Sequence, residues 1–461
     1  MSLSQIIASL IFLVMFGAIV WAKIHRMIPA LIGAALVILV VFLGVMQSPE
    51  TVLRVLSLGQ LGTAKFWYPG AGHFAEEAHG INWQTIVFIA GMMLMVEGLS
   101  AVGFFRWLCL WVARLVKCQV IPILIAFMVL SGFLSMFIDS ITVMLFLATV
   151  TIELARLLKF DPVPVIIAEI FAANTGGSAT MSGDPPNIII GTALGYSFMD
   201  FVENTGLMAW AGMILALLFF YLAFRKPLTT SQKGTSPEEL LNRCPAPGSA
   251  ITSPLLFKIQ SLIFLLVIIL LVTHAETGLS VAIIGVIAAL LTTLAGIKHF
   301  RHIMHGVDWR TLLFFIGLFI CVGGLEETGV LKAFAQYIER VSGGSLFIVI
   351  SIILWVSAFA SAIVDNIPFA ATMVPVIRQL SVGLGASSLP TMAWGLALGT
   401  DIGGNATPIG ASANVVGTAI SEREGYPISW SRFLKYALPS MILVIALVHL
   451  MMVWRYDLMG R

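Results

Sequence analysis

Eight runs of apolar residues, each about as long as a helix that crosses a bilayer, decide what this chain can fold into. They lie near residues 5–22, 27–46, 83–100, 207–224, 259–274, 279–296, 309–325 and 433–454. A helix rises about 1.5 Å per residue, so about 20 apolar residues match a hydrocarbon core about 30 Å thick. In lipid each backbone N–H and C=O must find its partner inside the protein, which for runs of this length selects helices. Composition agrees. The chain is 59% hydrophobic and 10% charged, against about 25% charged for a soluble domain. The fold class expected is therefore an all-α polytopic membrane protein with the lipid bilayer as its first partner. A net charge of +2 leaves no electrostatic footprint for nucleic acid. Residues 5–22 lack a basic leader and an A-x-A cleavage site, and a second span follows at once, so they read as the first span rather than a signal peptide. No organelle-targeting segment is visible, which points to a bacterial inner membrane.

Four further apolar stretches are interrupted by polar residues. Those near 163–194 and 390–421 carry Gly, Pro, Asp and Asn and read as broken helices. Those at 119–155 and 346–380 each hold an acid near the middle, and suit re-entrant hairpins with polar tips. With both termini outside, 18 of the 25 Lys and Arg fall on inside segments and seven outside, the bias expected for cytoplasmic loops. The stretch 225–258, rich in Pro, Ser and Thr, reads as a flexible cytoplasmic linker.

The chain repeats itself across that linker. Shifted by 226 residues, "INWQTIVFIAGMMLMVEGLSAVG" lies on "VDWRTLLFFIGLFICVGGLEETG", and Asp139 meets Asp365. One more residue of shift puts "NTGGSATMSGDPPN" on "DIGGNATPIGASAN". The matches fall on Trp, Gly, Asp, Asn and Thr, which apolar helices do not share by accident. Residues 1–224 and 259–461 are thus two repeats, each of five spans and one hairpin. An odd number of spans makes them face opposite ways, an architecture frequent in secondary transporters, with sites at mid-membrane breaks.

The breaks suggest why the helices are interrupted. Backbone without helical hydrogen bonds costs several kcal/mol per unsatisfied group in lipid and is tolerated where it lines a cavity. Glycine permits unusual backbone angles and proline removes a donor. Freed carbonyls with Asn, Ser, Thr and Asp oxygens can replace the hydration shell of a small cation, and half-helix N-termini can hold an anion. Candidate ligands in the first half are Asp139, Ser140, Thr142, Asn174, Gly176, Gly177, Thr180, Asp184 and Asn187. In the second they are Asp365, Asn366, Asp401, Asn405, Thr407, Ser412 and Asn414. An intramembrane acid is a functional hypothesis by default. Asp184 has no acid at its repeat partner Ala411, so the halves are not equivalent. Glu169 is a weaker proton-relay candidate and Glu97 weaker still.

The runs "SGDPPNIIIGTALGYSFMDF", "VDNIPFAATMVPVI" and "GGNATPIGASANVV" resemble the ArsB/NhaD ion-transporter superfamily, with its citrate-transporter-like domain, and within it the P-protein-like permeases. The resemblance covers nearly the whole chain. It implies a homodimer whose transport domains move against a scaffold in an elevator fashion. In the citrate and dicarboxylate carriers of that superfamily, a Ser-Asn-Thr tip and a Pro-Pro-Asn break bind sodium and carboxylate. Here the tips read Asp139-Ser140 and Asp365-Asn366, which adds negative charge.

Two functions compete. One is sodium/proton antiport, supported by acid-rich tips and by the lack of any Lys or Arg in the tips and breaks. The other is anion transport: arsenite or antimonite efflux, or citrate or dicarboxylate uptake coupled to sodium or protons. In both the partner is a small ion, sodium or protons serve as coupling ions, and no other cofactor or metal is implied. An enzyme is not expected, because no Ser/His/Asp or metal motif gathers at one depth. The chain has no Gly-Lys dipeptide, which removes a P-loop ATPase. Two closing tips and two breaks imply alternating access rather than a channel. The cysteines Cys109, Cys118, Cys244 and Cys321 form no CxxC pair and suggest no metal or redox role. His299, His302 and His305 read as a solvated turn, and His73, Glu76, Glu77 and His79 as an outside loop. The stretches 101–117 and 327–341 read as interfacial arms.

Overall fold

A computed structural model describes residues 2–21, 24–70, 80–231, 236–297 and 300–456. The loop with His73, Glu76, Glu77 and His79 lies outside the described residues, as does His299. The regular structure among the described residues is helical. The first half contains α1 (Leu3–Val20), α2 (Met27–Val45), α3 (Trp83–Ala101), α4 (Phe104–Leu115), α5 (Val120–Leu134), α6 (Ser140–Leu158), α7 (Val163–Gly177), α8 (Pro185–Leu194) and α9 (Leu207–Ser231). The second contains α10 (Pro254–Thr277), α11 (Val281–Ala295), α12 (Trp309–Glu327), α13 (Val330–Ser342), α14 (Leu346–Ile363), α15 (Asn366–Leu384), α16 (Leu389–Gly403), α17 (Ser412–Arg423) and α18 (Trp430–Arg455). Among the described residues ten helices are long and apolar enough to cross a membrane, and the chain is an integral membrane protein. The hairpin arm α6 and both arms of the second hairpin, α14 and α15, reach that length themselves.

The repeated residues make repeated contacts. Asn82 caps α3 by accepting from the Thr85 N–H at 3.1 Å, and Asp308 caps α12 by accepting from the Thr311 N–H at 3.2 Å. Gly103 and Gly329 each turn the chain into an amphipathic arm with φ of +80°, α4 in one half and α13 in the other. α3 packs on α11 and α12 packs on α2. A Cβ on Gly91 would fall 2.0 Å from the Gly285 carbonyl oxygen, and one on Gly317 would fall 2.7 Å from the Ala30 carbonyl carbon. Small residues therefore let these backbones meet, as is usual where packing rather than the hydrophobic effect joins helices in lipid. Each half also reaches into the other: α8 packs on α15, and α17 on α6.

The described parts of the stretch expected to be a flexible linker, 225–231 and 236–258, are held down instead. α9 extends to Ser231, and Pro237–Arg243 forms a further short helix. Cys244 is joined to Cys118 by a disulfide, and its carbonyl accepts from Arg114 at 3.1 Å. The Thr252 hydroxyl donates to the Ala101 carbonyl at 3.1 Å. The Pro/Ser/Thr composition reads as a loop, but its docking onto α4 depends on tertiary contacts that no local pattern announces.

The crossing of α3 and α11 predicts that Gly91→Val costs about 2 kcal/mol or more, because the obstacle is backbone and cannot rotate away. Gly17→Ala, where nothing lies within 4 Å, is expected to be neutral or slightly stabilising. Thermal unfolding of the detergent-solubilised variants checks both.

Candidate functional site

The two breaks close in the same way. α7 stops at Gly177 and resumes as α8 at Pro185, while α16 stops at Gly403 and resumes as α17 at Ser412 after a single 3-10 turn. Asn187 spans the first gap, its amide donating to the carbonyls of Gly177 at 3.2 Å and Thr180 at 3.0 Å. Asn414 spans the second, donating to Gly404 and Thr407, each at 2.7 Å. Thr180 and Thr407 are braces rather than free ligands: their hydroxyls donate to the Met136 and Ala362 carbonyls at the ends of the hairpins' first arms. Gly176 and Gly177 act through close approach. A Cβ on Gly176 would lie 2.2 Å from the Gly132 carbonyl oxygen, and its partner Gly403 meets Ala358 in the same manner at 2.4 Å.

The hairpin tips begin with acids that cap their second arms. Asp139 accepts from the Thr142 N–H at 2.9 Å and from its hydroxyl at 2.8 Å. Asp365 accepts from the Ile367 N–H at 3.1 Å. Both tips then meet at one carboxylate. Asp184 accepts from Ser140 of the first tip at 2.9 Å and from Asn366 of the second at 2.7 Å. Asp184 also lies within electrostatic reach of Asp139, Asp365 and Asp401. The breaks are joined to each other by Asn174, whose amide donates to Asn405 at 2.9 Å and Asn414 at 2.8 Å. The structure thus brings the candidate residues of both halves into one polar centre, fully buried at Asp184, Asp401 and the asparagines and half-buried at Asp139 and Asp365.

Glu169 stands apart from that centre. It is buried on α7, where its Oε1 accepts from Thr151 and its Oε2 has no hydrogen-bond partner among the described residues.

One residue overturns an expectation. The site is not free of basic side chains. Arg26, just before α2, donates to Asp365 at 2.6 Å, to Ser412 at 2.9 Å and to Thr311 at 3.2 Å. Its guanidinium lies over the Phe314 ring, 4.9 Å from the centroid. Arg26 adjoins a span end and so counts in the sequence as a loop cation. The one signal that could have found it is the absence of any local acid beside it in "AKIHRMIPA". Thr311 and Asp308 were missed with it. Thr311 lines a narrow cavity between α3 and α12, with Asp139 and Ser182 as its other polar walls and Phe88, Met92, Met93 and Phe315 among its apolar ones. Asp139 therefore faces a space that a small ion could enter, with the α3–α12 wall opposite.

Comparison with known proteins places this architecture. A family model described as citrate transporter matches residues 16–399. The 46 kDa membrane protein of Mycobacterium leprae is 31% identical over 99% of this chain and 100% of its own length. The human P protein is 29% identical over 95% of this chain and 58% of its own length. The YdaH transporter structure from Alcanivorax borkumensis covers 99% of both chains with a TM-score of 0.52 at 13% identity, a likeness of fold. With a match over most of its length, the chain belongs to the citrate transporter family of membrane transporters.

Proposed function

We propose that the protein is a secondary active transporter that exchanges a small cation, sodium by preference, for protons. The observation that carries this reading is the charge of the buried centre. Four carboxylates, Asp139, Asp184, Asp365 and Asp401, converge there. Among the described residues Arg26 alone forms an ion pair with any of them. Each intramembrane acid costs at least about 2.5 kcal/mol, and four acids against one base leave charge that protons or cations offset. A centre of that sign attracts a small cation and repels a polycarboxylate.

An elevator-like displacement is supported by a mismatch between the halves. Through Arg26, Thr311 at the start of α12 is joined to Ser412 at the start of α17. Thr85 is the repeat partner of Thr311, and it bonds Thr192 at 2.7 Å. Thr192 stands seven residues beyond Pro185, the partner of Ser412. Seven helical residues span about 10 Å. One half thus docks its break against α12, while the other docks the far end of α8 against α3. The reciprocal arrangement, with the halves exchanging roles, is the second state of an inverted repeat. With the N-terminus outside, as expected from the basic residues, Thr311 falls at the inner end of its span, which fits the inward-displaced member.

Arg26 favours the second reading, anion transport. A guanidinium suits bidentate carboxylate recognition, and this one bonds a threonine of the cavity wall. Here Nη1 is spent on Asp365 and Ser412, and Nη2 on Thr311.

Proteoliposomes with a trapped pH dye separate the two. Under the cation reading, a sodium gradient alone moves protons, and Asp139→Asn lowers that rate at least tenfold. If sodium moves no protons while arsenite or citrate is carried, and Arg26→Gln abolishes it, the anion reading replaces the first.

A further inference from the structure

The repeat makes Asn174 the counterpart of Asp401 and Asn187 the counterpart of Asn414. In one pairing the chemistry closes: the Asn174 amide donates to the Asn414 Oδ1 at 2.8 Å. In the other it does not. Asp401 has the Asp184, Asn187 and Thr400 side chains as polar neighbours, and the Thr400 hydroxyl donates to the Leu396 and Ala397 carbonyls instead. Both amide hydrogens of Asn187 are committed, to the Gly177 and Thr180 carbonyls. Asn187 therefore has only Oδ1 left to offer, and that atom has no hydrogen-bond partner. Neither carboxyl oxygen of Asp401 has one either. Asp401 and Asn187 are both fully buried. Asp184 adds no donor, since its two oxygens are taken up accepting from Ser140 and Asn366.

Oxygen thus faces oxygen at a place where the first half has a donor. A buried carboxylate without a donor is strongly penalised unless a proton or a cation joins it. Hard oxygen ligands of this kind, beside unwound backbone, suit an alkali cation. One uncommitted carboxylate suits a monovalent ion, because divalent ions are held by several carboxylates. We propose that the Asp401 carboxylate and the Asn187 Oδ1 form a monovalent cation site, sodium being the ion, deeper than the hairpin tips and belonging to one half only. The site deepens the cation-transport reading above and rests on it. Its single occupancy follows from the repeat: Asn174 seals the equivalent place in the other half with its own amide.

The test is binding rather than transport. Thermal unfolding of the full-length protein in detergent is followed while NaCl replaces choline chloride at constant ionic strength. The wild type is expected to gain stability saturably with sodium. Asp401→Asn is expected to fold, because the first half already carries asparagine at the equivalent place, and to lose the sodium response. If it does not fold, Asp401→Glu carries the same test: it keeps the charge but misplaces it, and the sodium midpoint is expected to rise at least tenfold. An unchanged midpoint in a folded variant overturns the proposed site while leaving cation transport standing. No sodium response in the wild type, together with citrate or arsenite transport in liposomes, overturns both the site and the cation reading.

Discussion

Two asparagine side chains hold this protein's centre open. A helix broken inside a membrane strands carbonyls that have no water to turn to. Asn187 satisfies the pair at Gly177 and Thr180, and Asn414 the pair at Gly404 and Thr407. With those carbonyls answered, the breaks persist without unwinding further. Asp184 then sits at the end of one gap, where it can receive Ser140 and Asn366 from the two hairpins. The hairpin tips, the breaks and the centre they enclose all depend on this clamp. It also explains why Gly183 and Gly410 stand there. A Cβ would lie 2.3 Å from the Gly177 carbonyl oxygen at the first, and 2.5 Å from that of Gly404 at the second.

The same clamp appears twice, but what surrounds it differs, and the differences suit transport. Asp184 faces two donors where its partner Ala411 could accept nothing from a side chain. Asp401 stands where the first half has Asn174. Arg26 pairs with Asp365, while Asp139, the partner of Asp365, faces a cavity. A perfectly symmetric centre would bind ions identically in both halves. The substitutions confine charge to particular positions, while the repeated backbone suits the two reciprocal states proposed above. Buried ion pairs add little net stability against an apolar replacement, so Arg26 with Asp365 is better understood as setting a conformation.

Much of this was legible in the sequence, and the reason is local. Glycine, proline, asparagine and aspartate in an apolar run mark breaks wherever they occur, so both gaps and both tips were readable with their capping acids. The repeat was readable because Trp83 and Trp309, or Asn187 and Asn414, are residues that lipid-facing helices seldom share by accident. Arg26 was not legible. It lies 339 residues from Asp365 in the chain, and a basic residue at a span end normally marks the membrane boundary. The docked linker was not legible either, because Cys118 and Cys244 are 126 residues apart. Among the candidate ligands, composition could not separate braces from free oxygens: Thr180 and Asp401 look equally polar, yet one is spent on a carbonyl and the other lacks a donor.

In the transport cycle proposed above, the two hairpins and two breaks move as a body between reciprocal positions on α3 and α12. The most direct measurement is cysteine cross-linking in membranes, with the native cysteines replaced. Thr85→Cys with Thr192→Cys is expected to cross-link in the state described here and to arrest transport. Thr311→Cys with Ala419→Cys reports the other state. In this structure Thr311 is joined to Ser412, about 10 Å along α17 from position 419, too far for a disulfide. Displacement predicts that this second pair also cross-links in working protein. If it never does so under any gradient, or if the locked first pair transports at full rate, the halves do not exchange places.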